Sequence, residues 1–134
     1  MLVLIRCDAT ADTGFGHLSR CLGMAEAFED LDVDSVFLGR FDDDGCQLIA
    51  ASGFDYTLTE HIAGSDQDLQ GILTNLRSVK VDACLLDTYC LSEHYLDALD
   101  RESVPTMVLD DFGLLKHYGC DVVINFTVDA TNVP

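Results

Sequence analysis

The feature that most constrains this chain is a regular alternation of short apolar runs with longer amphipathic segments. The runs Leu2–Ile5, Asp34–Leu38, Tyr56–Leu58, Ala83–Leu86, Thr106–Leu109 and Val122–Asn125 are rich in Val, Leu, Ile and Phe. Each is only three to five residues long, the length of a buried strand rather than a buried helix. Between them lie helical patterns. His17–Asp30 repeats Leu18, Cys21, Leu22, Ala25 and Phe28, and Asp66–Ser78 repeats Leu69, Ile72, Leu73 and Leu76. Gly45–Ser52 and Ser92–Arg101 complete the set, with Ser92 placed to cap its helix and Glu93 in the first turn. Short strands separated by helices predict βαβ units and a parallel sheet covered on both faces. The expectation is an α/β fold, a Rossmann-like doubly wound sheet forming one domain over residues 1–134. A length of 134 residues and a hydrophobic fraction of 49% are enough for a real core and exclude intrinsic disorder.

Parallel sheets of this kind bind ligands outside the carboxyl ends of their strands. The polar residues of this sequence collect there: Arg6 and Asp8 after the first strand, Asp87 after the fourth, Asp110 and Asp111 after the fifth, and Asn125 at the sixth. A single strand-end Asp is explained by capping the next turn, but four strand ends together suggest a site. The first strand-to-helix turn carries Gly14-Phe15-Gly16-His17. Two glycines let backbone N–H groups approach an anion closely. His17 falls on the first helical turn, where the positive end of the helix dipole disfavours imidazolium and favours a ring able to accept a proton.

Other nucleotide motifs do not fit. The third glycine of a dinucleotide fingerprint would fall at Ser19, and Arg40 stands after the second strand where that motif needs an acid. A Walker A ending is absent. The pair Asp110-Asp111 lies after the wrong strand for a receiver domain. No cofactor is expected.

The charge balance narrows the partners. Twenty-four acidic residues, nineteen of them Asp, face seven basic ones, for a formal charge of −17. Such a surface repels phosphate backbones, so nucleic acid is not an expected partner. The acids read as a solvated face that keeps the chain dispersed, or as adaptation to high salt. No apolar run approaches the ~18 residues of a membrane span, and Arg6 and Asp8 interrupt the N-terminal run too early for a signal peptide. A cytoplasmic chain without membrane contact is expected, its six cysteines free. Cys90 with His94 and Cys120 with His117 have helix-face spacing but no further ligands nearby, so no metal site is expected.

One family resemblance rests on these residues. Arg6-Cys7-Asp8 followed by Gly14-Phe15-Gly16-His17-Leu18-Ser19-Arg20-Cys21-Leu22 resembles the opening of the UDP-sugar hydrolases of pseudaminic acid biosynthesis and of related spore coat polysaccharide proteins. The resemblance continues through Leu86-Asp87-Thr88-Tyr89, Leu109-Asp110-Asp111 and Cys120-Asp121-Val122-Val123-Ile124-Asn125. It implies the N-terminal lobe of a GT-B architecture, in which a UDP-2,4-diacetamido-2,4,6-trideoxy-β-L-altropyranose is hydrolysed between two lobes. It implies His17 as the base that activates water, with inversion at the anomeric carbon and release of UDP. Gly14, Phe15 and Gly16 would lie against the sugar or its diphosphate, and Tyr89, Asp87 and Asn125 would line the cleft. Arg6 and Asp8 would hold the loop or touch ligand. The family's nucleotide-binding lobe has no counterpart in these residues, so a C-terminal lobe or partner chain is expected, and little activity without it. The tail, 127–134, reads as a segment leading out of the last strand. Two alternatives keep the fold: a glycosyltransferase lobe in which His17 deprotonates a sugar hydroxyl, and an inactive binding domain.

Overall fold

A computed structural model describes residues 1–126, and the tail over 127–134 lies outside the described residues. The elements run β1 (Leu2–Arg6), α1 (Gly16–Glu29), β2 (Asp34–Gly39), α2 (Asp43–Ala51), β3 (Asp55–Leu58), α3 (Asp66–Ser78), β4 (Ala83–Leu86), α4 (Glu93–Asp100), β5 (Thr106–Leu109) and β6 (Val122–Ile124). All strand pairs are parallel and the sheet order is β3-β2-β1-β4-β5-β6. This is the doubly wound Rossmann-like arrangement that the alternation predicts.

Alternate strand residues face opposite layers, and each layer meets its own pair of helices. Val3, Ile5, Phe37 and Leu85 pack with Leu18, Cys21, Leu22 and Ala25 of α1 and Ile49 of α2. Leu4, Leu38, Cys84, Leu86 and Val108 pack with Leu69, Ile72 and Leu73 of α3 and Leu96 and Leu99 of α4. Each such buried aliphatic side chain contributes about 2 kcal/mol by leaving water. Coverage on both faces holds for the middle of the sheet only. Every residue of the edge strand β3 is exposed, as are Val122 and Val123 of β6 at the other edge. The four described helices do not span six strands.

Helix starts follow capping chemistry. Ser65 accepts from the Asp68 N–H at 3.2 Å and Ser92 from the Tyr95 N–H at 3.1 Å. α2 begins two residues before the expected Gly45, because Asp42 caps it by accepting from the Gly45 N–H at 3.0 Å. The acidic run Asp42-Asp43-Asp44 is therefore a helix start, where negative charge is favoured. At Gly39 the loops after β1 and β2 are so close that a Cβ would sit 1.8 Å from the Cys7 carbonyl oxygen. Only glycine fits that position.

No helix among the described residues is long and apolar enough to cross a membrane.

Candidate functional site

The chain winds outward from β1 to β3 and then crosses back to place β4 on the other side of β1. The carboxyl ends of β1 and β4 thus flank the switch point, where a crevice is expected. Gly14 there has φ +76°, a left-handed conformation that suits glycine, and its N–H bonds to the Thr10 carbonyl at 2.8 Å. The turn delivers Phe15 as the N-cap of α1 with no side-chain cap bond, so the first-turn N–H groups lack a side-chain acceptor. Phe15 itself packs against the core. Gly16 and His17 open the helix.

The end of β4 supplies the partner of His17. Nδ1 of His17 lies 2.7 Å from Oδ1 of Asp87, whose carboxylate can only accept. The hydrogen is therefore on Nδ1, and in the neutral ring Nε2 keeps its lone pair. Arg20, one turn further along α1, clamps the same carboxylate with Nε at 2.7 Å and its second terminal nitrogen at 2.5 Å. Its first terminal nitrogen donates to Asp111 Oδ2 at 2.6 Å, and the Tyr89 hydroxyl donates to that oxygen at 3.2 Å. The Cys21 thiol completes the shell of Asp87 at 3.4 Å. The His17 and Tyr89 rings meet edge to face, 4.8 Å between centroids.

The electrostatics follow from these contacts. Burial alone would raise the Asp87 carboxyl, but the bonds from Arg20 and His17 outweigh it and hold it below the usual carboxylate range. Asp111 is lowered in the same way, against its burial, by Arg20, the Phe126 N–H and Tyr89. The Asp87 bond, assisted by Asp111, raises Arg20. The Tyr89 phenol is pushed up by burial and by Asp111. Both carboxylates stay ionised and Arg20 stays charged at neutral pH.

A cavity of about 310 Å³ opens beside this cluster, its walls including His17, Tyr89, Thr13, Thr88, Asp8 and Arg40. A smaller one, about 280 Å³, is lined by Thr13, Gly16, His17, Arg20 and Tyr89. Thus His17, Gly16, Asp8 and Tyr89 reach open space together. Three further expected residues are engaged inside the protein. Asp87 is 1% exposed, its carboxylate taken up by His17, Arg20 and Cys21. Arg6 is fully buried, its guanidinium spent on Asp8, Asp68 and the Cys7 and His61 carbonyls. Asn125 donates to the Asp111 carbonyl at 3.3 Å and ties β6 to the loop after β5.

Arg20 is the member that sequence reading missed, and Asp111 was read only as one of the acids on the strand-end rim. Arg20 follows His17 by three residues, the spacing that puts two side chains on one helix face. For Asp111 the rim position was legible, but nothing in the sequence pointed to Arg20, 91 residues away, as its partner. Its neighbour Asp110 looks the same in sequence, yet it accepts from the N–H groups of Phe112, Gly113 and Leu114 and from the Tyr118 hydroxyl, and so only shapes its turn.

No family model and no solved structure matches the chain. It is similar to an uncharacterized protein of Methanocaldococcus jannaschii, 24% identical over 131 residues, which cover 97% of this chain and 26% of that protein. The chain spans about a quarter of the length of that relative.

Proposed function

We propose that this domain is the base-bearing lobe of a nucleotide-sugar hydrolase, acting in the biosynthesis of pseudaminic-acid-type or other surface polysaccharide sugars. The observation that carries the reading is the hydrogen-bonded pair His17–Asp87 at the switch-point crevice, with His17 on the wall of a sugar-sized cavity. A base whose tautomer is set by a buried carboxylate is the arrangement expected for removing a proton from water or a hydroxyl. In the proposed step Nε2 of His17 takes a proton from water. The water oxygen bonds to the anomeric carbon as the bond to the nucleotide diphosphate oxygen breaks, and UDP leaves with that electron pair. Attack opposite the leaving group inverts the anomeric centre.

Thr13, Gly16 and Tyr89 surround the sugar in this reading, and the uncapped start of α1 offers N–H groups to a developing negative charge. The nucleotide itself sits on a second lobe or partner chain, whose binding energy positions the reacting carbon.

The test is UDP release from UDP-linked N-acetylated sugars by the complete protein that carries this domain. His17→Asn should lower kcat by about 10²–10⁴ with little change in UDP affinity. Unchanged turnover would remove His17 as the base. A strong thermal shift of the present chain with UDP alone would contradict nucleotide binding on another lobe. The glycosyltransferase alternative predicts product only when an acceptor sugar is added.

A further inference from the structure

Arg40 is a half-buried arginine for which the fold gives no internal use among the described residues. Its backbone is fixed on both sides: its N–H donates to Asp8 Oδ1 at 2.9 Å, and its carbonyl accepts from the Ala9 N–H at 2.9 Å. Its guanidinium has no hydrogen bond or ion pair among the described residues, although the side chain is half-buried. Arg6, Arg20 and Arg77 all find carboxylates. In a chain with 24 acids against seven bases, an arginine at a cavity wall without a carboxylate is unexpected. The nearby acids have other uses. Asp8 is held by Arg6 and the Arg40 N–H, and Asp42 caps α2.

Arg40 also stands where two cavities meet. It lines the 310 Å³ cavity that contains His17, and a second of about 540 Å³ over the ends of β2 and β3. The second is lined by Phe41 and Leu58 together with Thr10, Thr59, Asp42 and Glu60. It offers an apolar surface for a ring and polar groups for hydroxyls, with one cation between it and the base. The start of α2 cannot serve an anion there, because Asp42, Asp43 and Asp44 already occupy it.

We propose that Arg40 is an anion-recognising residue, and that the sugar handled beside His17 is one of the other surface polysaccharide sugars, bearing a carboxylate or phosphate that Arg40 grips at the junction of the two cavities. The planar fork of a guanidinium suits either group. Glu60 repels an anion placed elsewhere in the second cavity, which fixes the orientation of the sugar. This inference rests on the sugar-nucleotide reading for the identity of the ligand, while the anion site itself is tested by binding alone.

The experiment titrates the present chain with glucuronate, glucose 6-phosphate, glucose and inorganic phosphate, following the Arg40 Nε–H resonance by NMR. At least one anionic sugar should bind about ten-fold tighter than glucose and shift that resonance. Arg40→Gln should abolish the difference, Arg40→Lys should keep part of it, and neither should change Tm. Whichever of glucuronate and glucose 6-phosphate binds tighter identifies the anion.

Equal binding of glucose and both anionic sugars, absence of binding by any probe, or a preference that survives in Arg40→Gln overturns the proposal. So does inorganic phosphate binding as tightly as glucose 6-phosphate, which marks an adventitious ion only. The His17→Asn variant separates the two ideas. Loss of the Arg40 effect on probe binding leaves the base assignment standing, and unchanged turnover in His17→Asn leaves the anion site standing.

Discussion

Arg6 and Arg20 centre two networks built from the same parts and used differently. Each guanidinium binds two aspartates, and each network includes a tyrosine hydroxyl: Asp8, Asp68 and Tyr95 around Arg6, Asp87, Asp111 and Tyr89 around Arg20. The Arg6 side chain is 1% exposed and that of Arg20 is 19% exposed. In the first network Arg6, Asp68 and Tyr95 are sealed inside the protein, with Asp68 also accepting from the Gly64 N–H at 3.0 Å, and only Asp8 borders a cavity. It joins β1 to the start of α3 and to α4. The second adds His17, and the cluster borders open space through His17, Arg20 and Tyr89. The same ion-pair chemistry serves as a structural tie where water is excluded and as a support for a reactive group where one side is left open.

The sharpest way to break this comparison is to remove each cation in turn. Arg6→Met leaves buried carboxylates without a counter-charge and should cost about 3–5 kcal/mol in a urea unfolding series. Arg20→Met should cost less, about 1–2 kcal/mol, because water reaches the Asp111 side and His17 still donates to Asp87. Equal losses would mean that the two networks are equally closed.

Acid probes the open network next. Asp87 and Asp111 titrate below the ordinary aspartate value of 3.8 in the folded chain. Their stabilisation is complete above that value and is lost as pH falls through their folded range. The urea midpoint should therefore drop steeply below about pH 4, and Asp111→Asn should flatten that limb. A limb unchanged in Asp111→Asn would place the acid sensitivity elsewhere.

The smallest effect is expected from Tyr89→Phe, which removes one 3.2 Å hydrogen bond to Asp111 while keeping the ring against His17. The loss should be about 0.5–1 kcal/mol by thermal unfolding. A loss several times larger would show the hydroxyl to be part of the closed core rather than the rim.

The glycine-histidine turn was legible because its parts are adjacent in the chain. Gly14, Gly16 and His17 announce a strand-to-helix bend and a ring on the first helical turn before any tertiary contact is known. The capping serine at 92 was visible for the same reason, and the apolar spacing of α1 and α3 gave their buried faces. What could not be read was which acid meets which base. His17 and Asp87 are 70 residues apart, Arg20 and Asp87 67, and Arg20 and Asp111 91. Asp110 and Asp111 differ in role only because successive residues after a strand leave it in different directions.

By itself, then, the sequence determined the alternation of strand and helix, the parallel sheet and the polar rim at its carboxyl ends. These follow from local periodicity and from the need to bury both faces of an apolar strand. Tertiary structure alone decided that Arg6 is sealed while Arg20 is open, that Asp87 meets His17, and that the Arg40 guanidinium stands between two cavities with no ion pair among the described residues. Those outcomes depend on strand order and on the depth of each residue below the surface. Burial also sets the energy of every charge, and a linear pattern carries neither depth nor distance.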